Sequence, residues 1–171
     1  MLIRPRALER AGGIAAIRSE IIDDCALARA VKRSGGKVWL GLTPDTCSIR
    51  DYKSIGEIER MIARTAFNQL RHSFWLLLGA LAGLAIAYLL PLALLLSGDK
   101  RLAIVGAASW ALITAAYLPM VRFYELNPGW ALTLPFAASF YMLATLHSAF
   151  MYWSGRGGGW KGRAQDVAST H

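Results

Sequence analysis

Three stretches of the sequence, residues 74–97, 102–121 and 131–153, contain no Asp, Glu, Lys or Arg. Each is as long as the roughly 20 apolar residues needed to cross bilayer hydrocarbon, or longer, so three transmembrane helices are predicted. At 55% hydrophobic residues and a formal charge of +8, the 171-residue chain is too apolar for an ordinary soluble domain and is read as a membrane protein. Pro91, Pro119 and Pro135 do not overturn the spans, because membrane helices tolerate proline where neighbours satisfy the freed carbonyls; they are expected to mark kinks or span ends. Several of Trp75, Tyr88, Trp110, Tyr117, Trp130, Tyr141, Tyr152 and Trp153 stand at span ends, where an amphipathic ring suits the headgroup layer.

The first seventy or so residues carry Arg and Lys throughout and lack a continuous apolar segment, so no secretory signal is read there. Lys and Arg outnumber Asp and Glu before the first span, which predicts a cytoplasmic amino-terminal part. Three full crossings would then put the tail outside. Yet the tail holds Arg156, Lys161 and Arg163 against Asp166, and by the same rule prefers the cytoplasm. Either one apolar run is re-entrant or interfacial, or the tail's preference is overruled; composition leaves both open.

Ahead of the spans, Pro5 to Arg10 reads as a short helix started by proline and stopped by Gly12-Gly13. Asp23 or Asp24 is expected to cap a helix running to about Arg33, ended by Ser34-Gly35-Gly36. In residues 37–43, Val38, Leu40 and Leu42 alternate with Lys37, Trp39 and Gly41, the period of a half-buried strand; residues 1–4 and 46–52 are further strand candidates. Together these predict a small partial α/β segment. From Ile55 to Leu70, Ile55, Ile58, Met61, Ile62, Ala66, Phe67 and Leu70 recur at helical spacing, an amphipathic helix expected at the membrane interface. The predicted organisation is an α/β part over 1–53, the interfacial helix over 54–73, a transmembrane region over 74–153 and a basic, flexible tail over 154–171.

Cys25 and Cys47 match no zinc spacing or disulfide framework, and His72, His147 and His171 have no spacing that would assemble a metal site. His147 lies inside the third apolar run, where a polar ring faces another helix or a water-filled cavity. The adjacent carboxylates Asp23 and Asp24 are the main chemical signal, since a carboxylate beside a reacting hydroxyl can act as its general base. Capping of the helix is the competing use of the same residues.

Residues 1–13 (Met-Leu-Ile-Arg-Pro-Arg-Ala-Leu-Glu-Arg-Ala-Gly-Gly), 22–29 (Ile-Asp-Asp-Cys-Ala-Leu-Ala-Arg), 64–73 (Arg-Thr-Ala-Phe-Asn-Gln-Leu-Arg-His-Ser) and 160–163 (Trp-Lys-Gly-Arg) carry a resemblance over nearly the whole chain. They resemble the inverting family-two glycosyltransferases, in particular the hopanoid-associated membrane branch. The resemblance implies that Asp24 is the base that deprotonates the acceptor hydroxyl, with Asp23 in the place of the family's usual Glu. It matches the family's Gly-Gly to Gly12 and Gly13, where small residues let backbone and acceptor approach. The family's Gln-x-x-Arg-Trp is met here by Gln69-Leu70-Arg71-His72-Ser73, with Arg71 one position early and no Trp in register. Gln69 and Arg71 are thereby diphosphate-side candidates, and Trp160, Lys161 and Arg163 candidate substrate contacts beside the alternative of a basic anchor.

The resemblance further implies a nucleotide-sugar donor, a lipid-like acceptor, a divalent metal (magnesium or manganese) in the complete enzyme, and a bacterial inner-membrane location. The family's Asp-x-Asp nucleotide-binding half has no counterpart in residues 1–73, and no metal ligand is assignable in this chain. The expectation is a carboxyl-terminal part, incomplete alone, with the nucleotide-binding half on a separate chain. No nucleic-acid partner is expected. A different class explains the charge and the amphipathic helix equally well: a non-catalytic membrane anchor that binds anionic lipid or a partner. A transporter has less support, because the spans contain no charged residues.

Overall fold

A computed structural model describes residues 2–18, 20, 22–46, 49 and 52–155. The chain forms two compact units, Met1–Thr46 and Cys47–His171.

In the first unit, α1 (Pro5–Arg10) starts on proline, whose fixed φ suits the first helical turn and whose missing N–H is no loss there. A 3-10 turn (Ile14–Ile17) and α2 (Asp23–Arg33) follow. Both helices end in a Schellman motif. At α1 the Gly13 and Gly12 N–H groups donate to Leu8 O at 2.9 Å and Glu9 O at 3.0 Å; at α2 Gly36 and Gly35 donate to Val31 O at 2.9 Å and Lys32 O at 3.1 Å. This geometry puts the residue just past the cap in the left-handed region, and Gly12 (φ +88°) and Gly35 (φ +78°) occupy it without steric cost.

The predicted α/β character of this unit is not found. Residues 37–43 form no strand, and there is none among the described residues. Trp39 and Leu40 are 86% and 96% exposed. A period-two pattern becomes a strand only when a neighbour takes up its backbone N–H and C=O groups, and residues 37–43 have none among the described residues. Most of the candidate strand 46–52, with Cys47, lies outside the described residues, as does the tail from 156 onward.

The second unit opens with α3 (Ile55–Gln69). Ser54 caps it, its Oγ accepting from Glu57 N–H at 3.3 Å, while Glu57 Oε2 reaches back to accept from Lys53 N–H at 3.1 Å, close to a capping box. The helices α4 (Phe74–Leu84) and α5 (Leu90–Leu95) are joined by a π turn over Ala85–Leu89. Pro91 explains the break: it lacks an N–H and its ring crowds the carbonyl one turn earlier, and a π turn absorbs both. Next come α6 (Lys100–Phe123), capped by Asp99, a 3-10 turn (Pro128–Thr133), and α7 (Leu134–Trp153), with Pro135 in its first turn. Pro119 sits inside α6 without interrupting it. Three segments, Phe74–Leu95, Lys100–Phe123 and Pro128–Trp153, are long and apolar enough to cross a membrane, in keeping with the three spans read from sequence.

The buried core of this unit lies between α3, α4 and α7: Ile62 and Ala66 pack with Ala144, and Phe67 with Leu77 and Ala149. The amphipathic helix thus buries its apolar face against a membrane-length helix. α5 and α6 meet at Gly106, where a Cβ would stand 2.5 Å from both Pro91 O and Leu95 N. Gly106→Ala is therefore expected to lower stability by about 1–3 kcal/mol. Gly83→Ala, with open space around the added methyl, is expected to be neutral or slightly stabilising. Thermal unfolding in detergent measures both.

Candidate functional site

The acidic pair stands on the first turn of α2, with Ile22 at the N-cap position. Neither aspartate caps the helix from outside. Asp23 Oδ1 accepts from Asp24 N–H at 3.0 Å, and Asp24 Oδ1 accepts from Cys25 N–H at 2.7 Å. Both residues are exposed, at the end of the helix where negative charge is favoured by the free N–H groups and the dipole. Arg29, on the same helix, meets Glu20 at 3.4 Å in an exposed ion pair that contributes little stability by itself. The arrangement supplies two solvent-facing carboxylates on rigid backbone, which suits proton acceptance from an incoming hydroxyl. Gly12 and Gly13 both adopt positive φ, so their local role is to end α1.

Gln69 and Arg71 lie at the junction between α3 and α4, both exposed. α3 ends as α1 and α2 do: His72 and Arg71 N–H donate to Phe67 O at 3.1 Å and Asn68 O at 2.9 Å. Here, however, the left-handed positions are held by Arg71 (φ 52°) and His72 (φ 54°) instead of glycine. Each non-glycine residue in that region costs about 1–2 kcal/mol, and observed strain of this kind concentrates at functional sites. The His72 ring offsets part of the cost by stacking on Tyr152, centroids 4.1 Å apart and planes 13° from parallel, with its neighbour Phe67 edge-on at 5.5 Å. Exposed Arg71 has no such ring stacking among the described residues.

Two polar contacts fasten α3 to α7. Phe67 N–H donates to Ser148 Oγ at 3.0 Å, and His147 Nδ1 hydrogen-bonds Glu59 Oε1 at 2.5 Å. His147, singled out in the sequence as a polar ring within an apolar run, is thus satisfied by a carboxylate from the amphipathic helix. Sequence reading placed Glu59 on the polar side of the amphipathic helix but did not pair it with His147, and it did not name Ser148 or the strained backbone at Arg71. The signal for the first was present, since a histidine among apolar residues needs a polar partner and α3 is the nearest acidic helix. The other two have no local signature.

Among the described residues no group of three His, Cys, Asp or Glu side chains is placed to hold a metal ion. Trp160, Lys161 and Arg163 lie outside the described residues.

The model of Glycosyl transferase family 21 matches residues 1–170. The chain belongs to this family. No curated protein and no solved structure gives a significant match. Glycosyl transfer is what this family shares with the family-two enzymes that the residues resemble. This family 21 chain carries three helices long and apolar enough to span a membrane.

Two outcomes follow for the junction. Replacing Arg71 with glycine removes left-handed strain, so Arg71→Gly is expected to raise stability by about 1 kcal/mol in thermal unfolding in detergent. Burial lowers the His72 pKa from its ordinary 6.5, because desolvation disfavours the imidazolium. The unfolded chain then binds the proton more readily than the folded one. The contribution of neutral His72 is complete above about pH 6.5 and is lost as pH falls toward the lowered folded value. A melting-temperature series from pH 8 to about pH 5 should show this decline, and His72→Asn, which tolerates the left-handed backbone, should flatten it.

Proposed function

We propose that the protein is the acceptor-side, membrane-anchored part of an inverting glycosyltransferase, with Asp24 as the general base. The observation that carries this reading is the exposed Asp23–Asp24 pair on the first turn of α2 in a family 21 chain. In the proposed step the acceptor hydroxyl gives its proton to an Asp24 carboxylate oxygen while its own oxygen bonds to the anomeric carbon. The bond from that carbon to the nucleoside diphosphate breaks on the opposite side, which inverts configuration. Asp23, whose Oδ1 holds the Asp24 N–H, orients the base.

Gln69 and Arg71 are assigned to the departing diphosphate, where developing phosphate charge needs fixed donors, on the sequence resemblance alone. The nucleotide and a divalent metal are held by a nucleotide-binding half outside residues 1–171. The acceptor is lipid-like, in line with the apolar helix that begins at Phe74 immediately after this junction. The closer likeness to the hopanoid-associated branch, with its inner-membrane location and cytoplasmic amino-terminal part, rests on the sequence resemblance alone. Trp160, Lys161 and Arg163 are assigned as further substrate contacts on the same footing, as is an acceptor-facing role for Gly12 and Gly13.

The test is sugar transfer from labelled nucleotide sugars to extractable lipid in native membranes carrying the Asp24→Asn allele. Loss of a general base predicts a fall of roughly 10²- to 10⁴-fold with protein level unchanged. Undiminished transfer would remove Asp24 from the chemistry and favour a non-catalytic anchor.

A further inference from the structure

We infer that the chain enters and leaves the bilayer on the same face, making an even number of crossings although three of its helices are long enough to cross. The inference is independent of the catalytic reading. It rests on which ends of α4 and α7 meet.

The first span begins at Phe74, and the last ends at Trp153. Leu77, one turn into α4, and Ala149, one turn before the end of α7, meet in one buried cluster with Phe67. Around this contact the two ends are held together by rings. Phe67 lies edge-on to Tyr152 and to Trp153, each at 5.4 Å, and His72, just ahead of α4, stacks on Tyr152. The π turn Ala85–Leu89 also packs against α7. That turn lies about 12–18 Å beyond Leu77 along the helix axis, at 1.5 Å per residue. Past Ala149, α7 continues only to Trp153, about 6 Å. Were the two helices parallel, the π turn would have no α7 beside it. They are therefore antiparallel: α4 leaves the face near Phe74 and α7 returns to it.

It follows that α6 begins and ends on the far face and makes no net crossing; it packs chiefly on α5 and on the Pro128–Thr133 turn. The charges agree. Three crossings would separate the basic amino-terminal part from Arg156, Lys161 and Arg163, whereas the antiparallel arrangement sets both flanks on one side, as the positive-inside tendency favours.

Single-cysteine labelling in sealed vesicles tests this. With Cys47→Ser, native Cys25, which is exposed, reports the entry face. In a Cys25→Ser, Cys47→Ser background, Ser154→Cys, Ser97→Cys and Leu126→Cys are probed separately with a membrane-impermeant maleimide on right-side-out and inverted vesicles. The expected result is that Ser154→Cys reacts in the same vesicle orientation as Cys25, and that Ser97→Cys and Leu126→Cys react in the opposite one. Ser154→Cys reacting together with Ser97→Cys, or Leu126→Cys together with Cys25, would overturn the inference. These positions are exposed, and vesicles solubilised before labelling show that each thiol can react.

Discussion

The packing of α3 against α7 organises the larger unit, and it depends on small side chains at one place. Ala144 and Ala149 are fully buried and Ser148 nearly so, which lets the α3 backbone come close enough for Phe67 N–H to reach Ser148 Oγ at 3.0 Å. Close van der Waals approach and an interhelical hydrogen bond, more than bulky apolar side chains, join the two helices at this place. Phe67, 1% exposed, then fills the space between α3, α4 and α7, and the Glu59–His147 contact adds a polar partner on the same seam.

From that seam the junction at residues 70–73 follows. α3 must stop where α4 starts, and four residues leave room for a left-handed reversal but not for a loop. α1 and α2 make the same reversal with glycine, whereas α3 makes it with Arg71 and His72. His72 is held by Tyr152, so its strain is balanced by packing with α7. Arg71 remains exposed just ahead of a membrane-length helix.

The acidic pair is built by different means. It needs no tertiary contact: a helix begins after Ile22, and two aspartates occupy its first turn with their oxygens bonded to the next backbone N–H groups. Its chemistry is therefore legible from residues 22–33 alone, although the same residues read equally as ordinary helix-start acids.

Local punctuation determined most of the helices: Pro5, Gly12-Gly13, Ser54 with Glu57, Asp99 and Gly35-Gly36 act through bonds within a few residues, so helix ends were readable in the chain. Three membrane-length helices were likewise implied by uncharged length alone. Residues 37–43 show the opposite case, because alternation describes a surface and a strand also requires a neighbour to bond. The pairing of His147 with Glu59, eighty-eight positions apart, the small-residue seam and the left-handed Arg71 were decided only in three dimensions. So was the direction in which α7 runs beside α4: composition sets whether a segment can cross a membrane, but side-chain packing between helices sets which way it goes.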